Sequence, residues 1–139
     1  MSSLLVYVSA TFLVLISLIH VYWAFGGRWG SRASLPQTKD GAAIFLPRKP
    51  ETLAVAVLML GVCTVLVAQS ETLSFLQANS FTKWSCILCG SVFFLRAIGD
   101  FNYLGFFKRV KHTAFSYYDT RFYSPLCLFL AFSFLLTVV

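Results

Sequence analysis

Residues 4–25 read LLVYVSATFLVLISLIHVYWAF and contain no Asp, Glu, Lys or Arg. An α-helix rises ~1.5 Å per residue, so this stretch would extend about 33 Å and cross a hydrocarbon core of ~30 Å. It lacks the basic leading segment and the small-residue cleavage site of a secretory signal. The sequence therefore predicts a retained membrane-spanning helix.

Three further apolar stretches follow, at residues 52–69, 84–104 and 122–139. The chain of 139 residues is 58% hydrophobic and 12% charged, and its mean hydropathy of +0.78 is far above that of soluble proteins. The apolar residues form long runs and do not alternate with polar ones at a helix or strand period. We therefore predict one all-α domain over residues 1–139, a four-helix transmembrane bundle.

Lysine and arginine concentrate in two of the three predicted loops. Residues 26–50 hold five of them and residues 105–121 hold four, whereas the remaining loop has Lys83 alone. Short loops rich in Lys and Arg stay in the cytoplasm. We therefore predict that both basic loops are cytoplasmic and that both termini are extracytoplasmic. Because the net charge of +6 arises beside the spans, it indicates topology, and no nucleic-acid partner is predicted.

The third predicted span carries two charges, Arg96 and Asp100. Their i, i+4 spacing would place them on one helical face. A charge inside a spanning helix costs at least ~2.5 kcal/mol, and such residues usually face protein or a water-filled cavity. We expect a carboxylate inside the bundle to hold Arg96, with Asp100 as the first candidate and Asp119 as the second. The charges form either a structural lock or a functional site.

Pro125 stands near the start of the fourth apolar run. Proline has no N–H and clashes with a preceding helical turn, so it favours the first position of a helix, with Ser124 as the cap. A helix that starts there is short for a membrane. We therefore predict that residues 119–124 are irregular backbone packed against spans one and three, in contact with Arg96 and His20.

The unusual polar residues fall at similar depths. His20 would lie about 24 Å below the outer end of span one, and Arg96 about 18 Å below the start of span three. We predict a polar pocket at the cytoplasmic leaflet, where Arg96 would hold an anionic or carbonyl group and His20 would donate a hydrogen bond or shuttle a proton. The predicted ligand-binding residues are His20, Trp23, Trp29, Arg96, Asp100, Asp119 and Arg121.

The predicted ligand is a lipid-like or other lipophilic small molecule, which the protein binds or modifies. Membrane lipids are the expected partners, and a homo-oligomer is an open alternative. The sequence identifies no catalytic residue, cofactor or metal ligand. A second hypothesis is a structural or regulatory membrane subunit, in which the same polar residues only hold the helices together.

A third hypothesis rests on Cys86 and Cys89, which form a CxxC pair at the start of the third predicted span. Such a pair at a helix N-terminus suits thiol redox chemistry. It resembles the quinone-coupled thiol oxidoreductases, which are also small four-helix membrane proteins. The resemblance covers four residues, and the second, external cysteine pair of those enzymes is missing.

Three motifs carry a broader resemblance: HxxWAxGGxWG at residues 20–30, RAIGD at residues 96–100 and YDTRxYSP at residues 118–125. Together with a second span that begins at a proline, they resemble a bacterial family of small four-span membrane proteins of unassigned function. The resemblance covers nearly the whole chain. It implies the four-span architecture and a location in the bacterial inner membrane, and it supplies no reaction.

Overall fold

The computed structural model describes residues 2–139, and within this range all regular elements are helices. An isolated β-bridge joins Gln37 to Ala43. The helices are α1 (Ser3–Ala24), α2 (Ser31–Ser34), α3 (Lys49–Gln69), α4 (Ser80–Ile98), α5 (Ala114–Tyr118), a π-helical turn (Asp119–Tyr123) and α6 (Ser124–Val138).

Four helices in the described residues are long and apolar enough to cross a membrane. They are α1, α3, α4 and one continuous helix, Ala114–Val138, made of α5, the π-turn and α6. The predicted all-α, four-span architecture is therefore confirmed. The first two predicted spans lie within α1 and α3, apart from the final residue of the first, whereas the other two differ from the observed helices.

The helices pack as two close pairs, α1 with α3 and α4 with α6, and the pairs meet through narrower contacts. Leu13, Leu66, Leu130 and Phe134 are fully buried where they meet. Small hydroxyl residues add hydrogen bonds between helices: the Ser9 hydroxyl donates to the Ser133 hydroxyl oxygen at 2.8 Å. Because lipid removes most of the hydrophobic force between spanning helices, close packing and such bonds stabilise the bundle.

Helix α4 ends earlier than the sequence predicted. The helix stops at Ile98, Gly99 has a φ of +85°, and residues 99–104 form a loop. Asp100 stabilises this loop, because its Oδ1 accepts hydrogen bonds from the backbone N–H groups of three following residues, Asn102, Tyr103 and Leu104. A side chain that binds the backbone in this way competes with helix continuation. The predicted pairing of Asp100 with Arg96 on one helical face is therefore wrong.

The fourth helix passes Pro125 without a break. The N–H of Ser124 donates to the carbonyl of Asp119, five residues earlier, which makes residues Asp119–Tyr123 one wide π-turn. Local π adjustments let membrane helices accommodate proline without leaving backbone groups unsatisfied. The prediction that residues 119–124 are irregular backbone is therefore wrong.

Two connections lie together at one end of the bundle. Loop one (residues 25–48) joins α1 to α3 and includes α2, and loop two (residues 99–113) joins α4 to α5. The Tyr123 hydroxyl of the π-turn donates to the Ala33 carbonyl at 3.1 Å. Loop one is thereby attached to the start of the fourth helix, and this end of the bundle holds the polar residues.

Candidate functional site

The predicted site residues divide between two regions of this end. His20 and Trp23 line a cavity that α1, loop one and α3 enclose, here named the loop-one cavity. Arg96 and Asp119 belong to an ionic group that also contains Lys108, here named the Asp119 cluster. None of the three cluster residues lines the loop-one cavity. The structure thus brings Arg96 to Asp119, as predicted for the second candidate, and places His20 in a separate region.

Asp119 is completely buried, and both of its carboxylate oxygens are occupied. Oδ1 accepts from Arg96 Nη2 at 2.8 Å and from the Ser124 hydroxyl at 3.2 Å. Oδ2 accepts from the Gly105 N–H at 2.8 Å and from Lys108 Nζ at 3.0 Å. A carboxylate offers about four acceptor positions, so Asp119 has no capacity left for a ligand. It joins α4, loop two and the fourth helix at one point.

Lys108 belongs to the cluster although the sequence did not predict this, because it is one of four basic residues in the segment 105–121 that indicate topology. Its side chain is buried, and Nζ donates to the Gly105 carbonyl, to Asp119 and to the Thr120 hydroxyl oxygen. These three bonds use every proton of the ammonium group. Nothing in the sequence distinguishes Lys108 from its basic neighbours Arg109 and Lys111.

The Asp119 cluster contains two cations and one carboxylate. Among the residues that the structure describes, Arg96 Nη1 is buried and has no hydrogen-bond partner. A buried donor without a partner is costly, and ordered water commonly satisfies such groups. Arg96 therefore anchors the cluster through Nη2, while both N–H donors of Nη1 are left without a partner among the described residues.

Asp100 acts on this cluster only through loop two. Gly99 and Gly105 both have positive φ, and a Cβ on Gly99 would overlap the backbone of Leu104 and Gly105. Partial burial raises the pKa of Asp100, but the hydrogen bonds that its carboxylate accepts from backbone N–H groups outweigh this effect. The pKa of Asp100 therefore lies below its usual value. The Asp100 turn fixes the loop backbone that carries the Gly105 N–H to Asp119.

The loop-one cavity has a volume of about 500 Å³. Apolar and polar side chains share its wall, which consists of His20, Trp23, Gly27, Ser31, Ser34, Leu35, Phe45, Leu46, Pro47, Glu51, Thr52 and Val55. His20 Nδ1 lies 2.7 Å from the Ile16 carbonyl oxygen. A carbonyl can only accept, so Nδ1 carries the proton and, in the neutral ring, Nε2 has a lone pair.

The two predicted tryptophans have different surroundings. The Trp23 ring meets the His20 ring edge-on, with centroids 5.2 Å apart, and its Nε1–H donates to the Trp29 carbonyl at 2.8 Å. The Trp29 side chain itself is exposed. Trp23 therefore holds His20 and the start of loop one together, while Trp29 contributes a backbone acceptor.

Arg121, the last predicted site residue, lies outside both regions. Its guanidinium stacks over the Tyr117 ring at 4.5 Å from the centroid, and the residue is exposed. It faces a second, smaller cavity together with other residues of loop two and the fourth helix.

Cys86 and Cys89 do not open a helix as the sequence predicted. Helix α4 begins at Ser80, so both cysteines lie within it. Cys86 is completely buried and its Sγ lies 3.8 Å from the Val65 carbonyl, while Cys89 is partly buried. Both are free thiols. The helix-terminal environment that motivated the redox hypothesis is therefore absent from this pair.

Comparison with known protein families identifies one family that matches most of the chain. Residues 13–134 match a family model described as "Protein of unknown function (DUF3995)". No curated protein and no solved structure matches the chain. The matched range contains all seven predicted site residues and all three motifs. Since the match spans most of its length, the chain belongs to the DUF3995 family.

Proposed function

We propose that this protein binds a lipophilic small molecule in the loop-one cavity. The observation that carries the proposal is the cavity itself, which has a volume of about 500 Å³. Pockets for small molecules usually have ~300–1,000 Å³, walls that are largely apolar and a few convergent polar groups. The loop-one cavity has this character, since Leu35, Phe45, Leu46, Pro47 and Val55 stand beside His20 and three hydroxyl residues.

The polar groups indicate what part of a ligand they would recognise. His20 Nε2 would accept a hydrogen bond from a ligand hydroxyl or N–H, because Nδ1 is committed to Ile16. The Ser34 hydroxyl donates to the Gly30 carbonyl and so also retains acceptor capacity. Glu51 lines the cavity too, but its charge is paired with Arg48 at 3.1 Å. The expected ligand is therefore apolar over most of its surface, with an uncharged hydrogen-bond donor at one end.

The proposed location is the cytoplasmic leaflet of the bacterial inner membrane. Loop one and loop two lie at the same end of the bundle, and nine of the chain's eleven Lys and Arg residues flank the spans at that end, as expected for the cytoplasmic side. Modification of an Arg28→Cys variant by an impermeant thiol reagent from outside the cell would contradict this orientation.

Two valines of α3 offer a matched test of the cavity. Val55 lines the cavity, whereas Val57, two residues further along the helix, is 69% exposed and lies outside the lining. Val55→Phe would place a ring in the cavity, and Val57→Phe adds the same atoms on the outer face. Purification in mild detergent followed by native mass spectrometry measures the lipophile that each variant retains.

We expect the wild-type protein and Val57→Phe to retain the same lipophile, and Val55→Phe to retain about ten-fold less, a difference of ~1.4 kcal/mol. Thermal unfolding of both variants checks that they are folded. If no lipophile is retained by the wild type, or if both variants retain it equally, the proposed function is wrong.

A further inference from the structure

A second cavity, of about 350 Å³, opens between loop two and the start of the fourth helix. We name it the basic cavity, because its lining includes the basic or hydroxyl side chains of Lys111, His112, Thr113, Ser116, Thr120 and Arg121. It shares no lining residue with the loop-one cavity. A ligand could therefore bind in the basic cavity whatever the loop-one cavity binds.

The charge in the basic cavity is uncompensated. No Asp or Glu is found among the described residues that line it. The carboxylate behind its wall, Asp119, already accepts four hydrogen bonds and pairs with Arg96 and Lys108. Lys108 also touches the cavity, but all three of its protons are used. The charges of Lys111 and Arg121 consequently face the cavity without a carboxylate.

Two hydroxyl groups of the lining, those of Thr113 and Thr120, can donate a hydrogen bond to a ligand. The Thr120 oxygen accepts from Lys108 Nζ, and the Thr113 oxygen accepts from the Ser116 N–H at 3.0 Å. Each of these hydroxyls therefore keeps its own proton for another acceptor. Arg121 is held by its stacking on Tyr117, which orders the guanidinium before any ligand arrives. The basic cavity is thus lined by two hydroxyl donors, Thr113 and Thr120, and two cations, Lys111 and Arg121, and no Asp or Glu is among its described lining residues.

We propose that the basic cavity is a binding site for a phosphate group. A phosphate offers several acceptor oxygens and negative charge, which match the guanidinium, the ammonium and the hydroxyl donors. The phosphate belongs either to the headgroup of an anionic membrane lipid or to a free anion. The exposed rings of Tyr118 and Phe122 lie on the same helix as Thr120 and Arg121, where they would contact acyl chains if the phosphate belongs to a lipid headgroup.

The experiment uses the full chain and two phosphate probes. Inorganic phosphate is titrated into protein in uncharged detergent by calorimetry, and phosphatidylglycerol retained from mixed micelles with phosphatidylcholine is counted by native mass spectrometry. Arg121→Gln and Lys111→Gln remove the cationic lining one residue at a time. Arg109→Gln is the matched control, because Arg109 is exposed in the same loop and is not part of the lining.

We expect Arg121→Gln and Lys111→Gln each to weaken binding about three- to ten-fold, the usual effect of one charge-assisted bond at an exposed position. Arg109→Gln should stay within about two-fold of the wild type. Binding of inorganic phosphate assigns the site to the free anion, and retention of phosphatidylglycerol alone assigns it to the lipid headgroup. The proposal is overturned if neither probe binds, or if Arg109→Gln weakens binding as much as Arg121→Gln.

Discussion

The Asp119 cluster and the loop-one cavity lie at the same end of the bundle, but they differ in how far their polar groups are hydrogen-bonded within the protein. In the cluster, the carboxylate accepts four hydrogen bonds and the Lys108 ammonium uses all its protons. In the cavity, His20 forms a hydrogen bond through Nδ1 to its own helix, packs against Trp23 and lines the open space. Buried charge in a membrane protein is therefore insufficient to identify a site. Within the part of the chain that the structure describes, the Asp119 carboxylate and the Lys108 ammonium have no capacity left for a ligand, whereas Arg96 Nη1 has no hydrogen-bond partner.

The largest expected effect is on the stability of the Asp119 cluster. Asp119→Asn keeps the shape of the side chain but removes the only carboxylate between Arg96 and Lys108. Removing one partner of a buried ionic group typically costs ~3–5 kcal/mol. We expect a clear fall in the thermal unfolding temperature in detergent. Asp40→Asn, at an exposed position of loop one, is the control, and equal stability of the two variants would contradict the lock.

A second prediction tests whether the two regions are separable. His20→Leu removes the acceptor from the loop-one cavity and should reduce lipophile retention about three- to ten-fold. The unfolding temperature of ligand-free protein should change little, since the His20 hydrogen bond and its ring contact with Trp23 are both within helix α1. Asp119→Asn should show the reverse pattern, with retention preserved wherever the variant is folded. Parallel loss of retention and stability in both variants would show that the two regions act as one.

The smallest expected effect concerns the Asp100 turn and its response to acid. The pKa of Asp100 is lowered in the fold from its usual value of 3.8, so its ionised form stabilises the turn above that pH, and the contribution is lost as pH falls through the lowered pKa. We expect the N–H groups of residues 102–104 to exchange faster with solvent in strong acid, relative to helix α1. The Asp100→Asn protein should show weaker protection than the wild type above this pKa and little change on acidification. Protection that does not change on acidification would argue against this turn.

The sequence predicts the helices better than their ends. Long apolar runs establish four spans, because each run must satisfy its own backbone in lipid. The end of α4 could not be predicted from hydropathy, since Gly99 and the Asp100 turn stop the helix inside a stretch that is still apolar. This shift explains why Arg96 pairs with Asp119 and not with Asp100.

The composition of the candidate sites was only partly predictable. A carboxylate for Arg96 follows from the cost of an unpaired charge in a membrane, and this expectation is confirmed. The burial of Lys108 depends on how loop two folds around Gly105, which no local pattern reveals. The separation of His20 from Arg96 was equally hidden, because depth along a helix gives no information about direction around the bundle.

The π-turn gives the fourth helix a phase shift. An α-helix advances about 100° per residue, so residues five apart would normally differ by roughly 140° in direction. Here the Asp119 carboxylate and the Ser124 hydroxyl are five residues apart and still meet at 3.2 Å, because the wide turn absorbs one extra residue. If the same residues formed a regular α-helix without the wide turn, everything before this point would rotate by about 100° relative to α6. Asp119 would then point away from Arg96, so the pairing of these two residues requires the wide turn as well as the two charges.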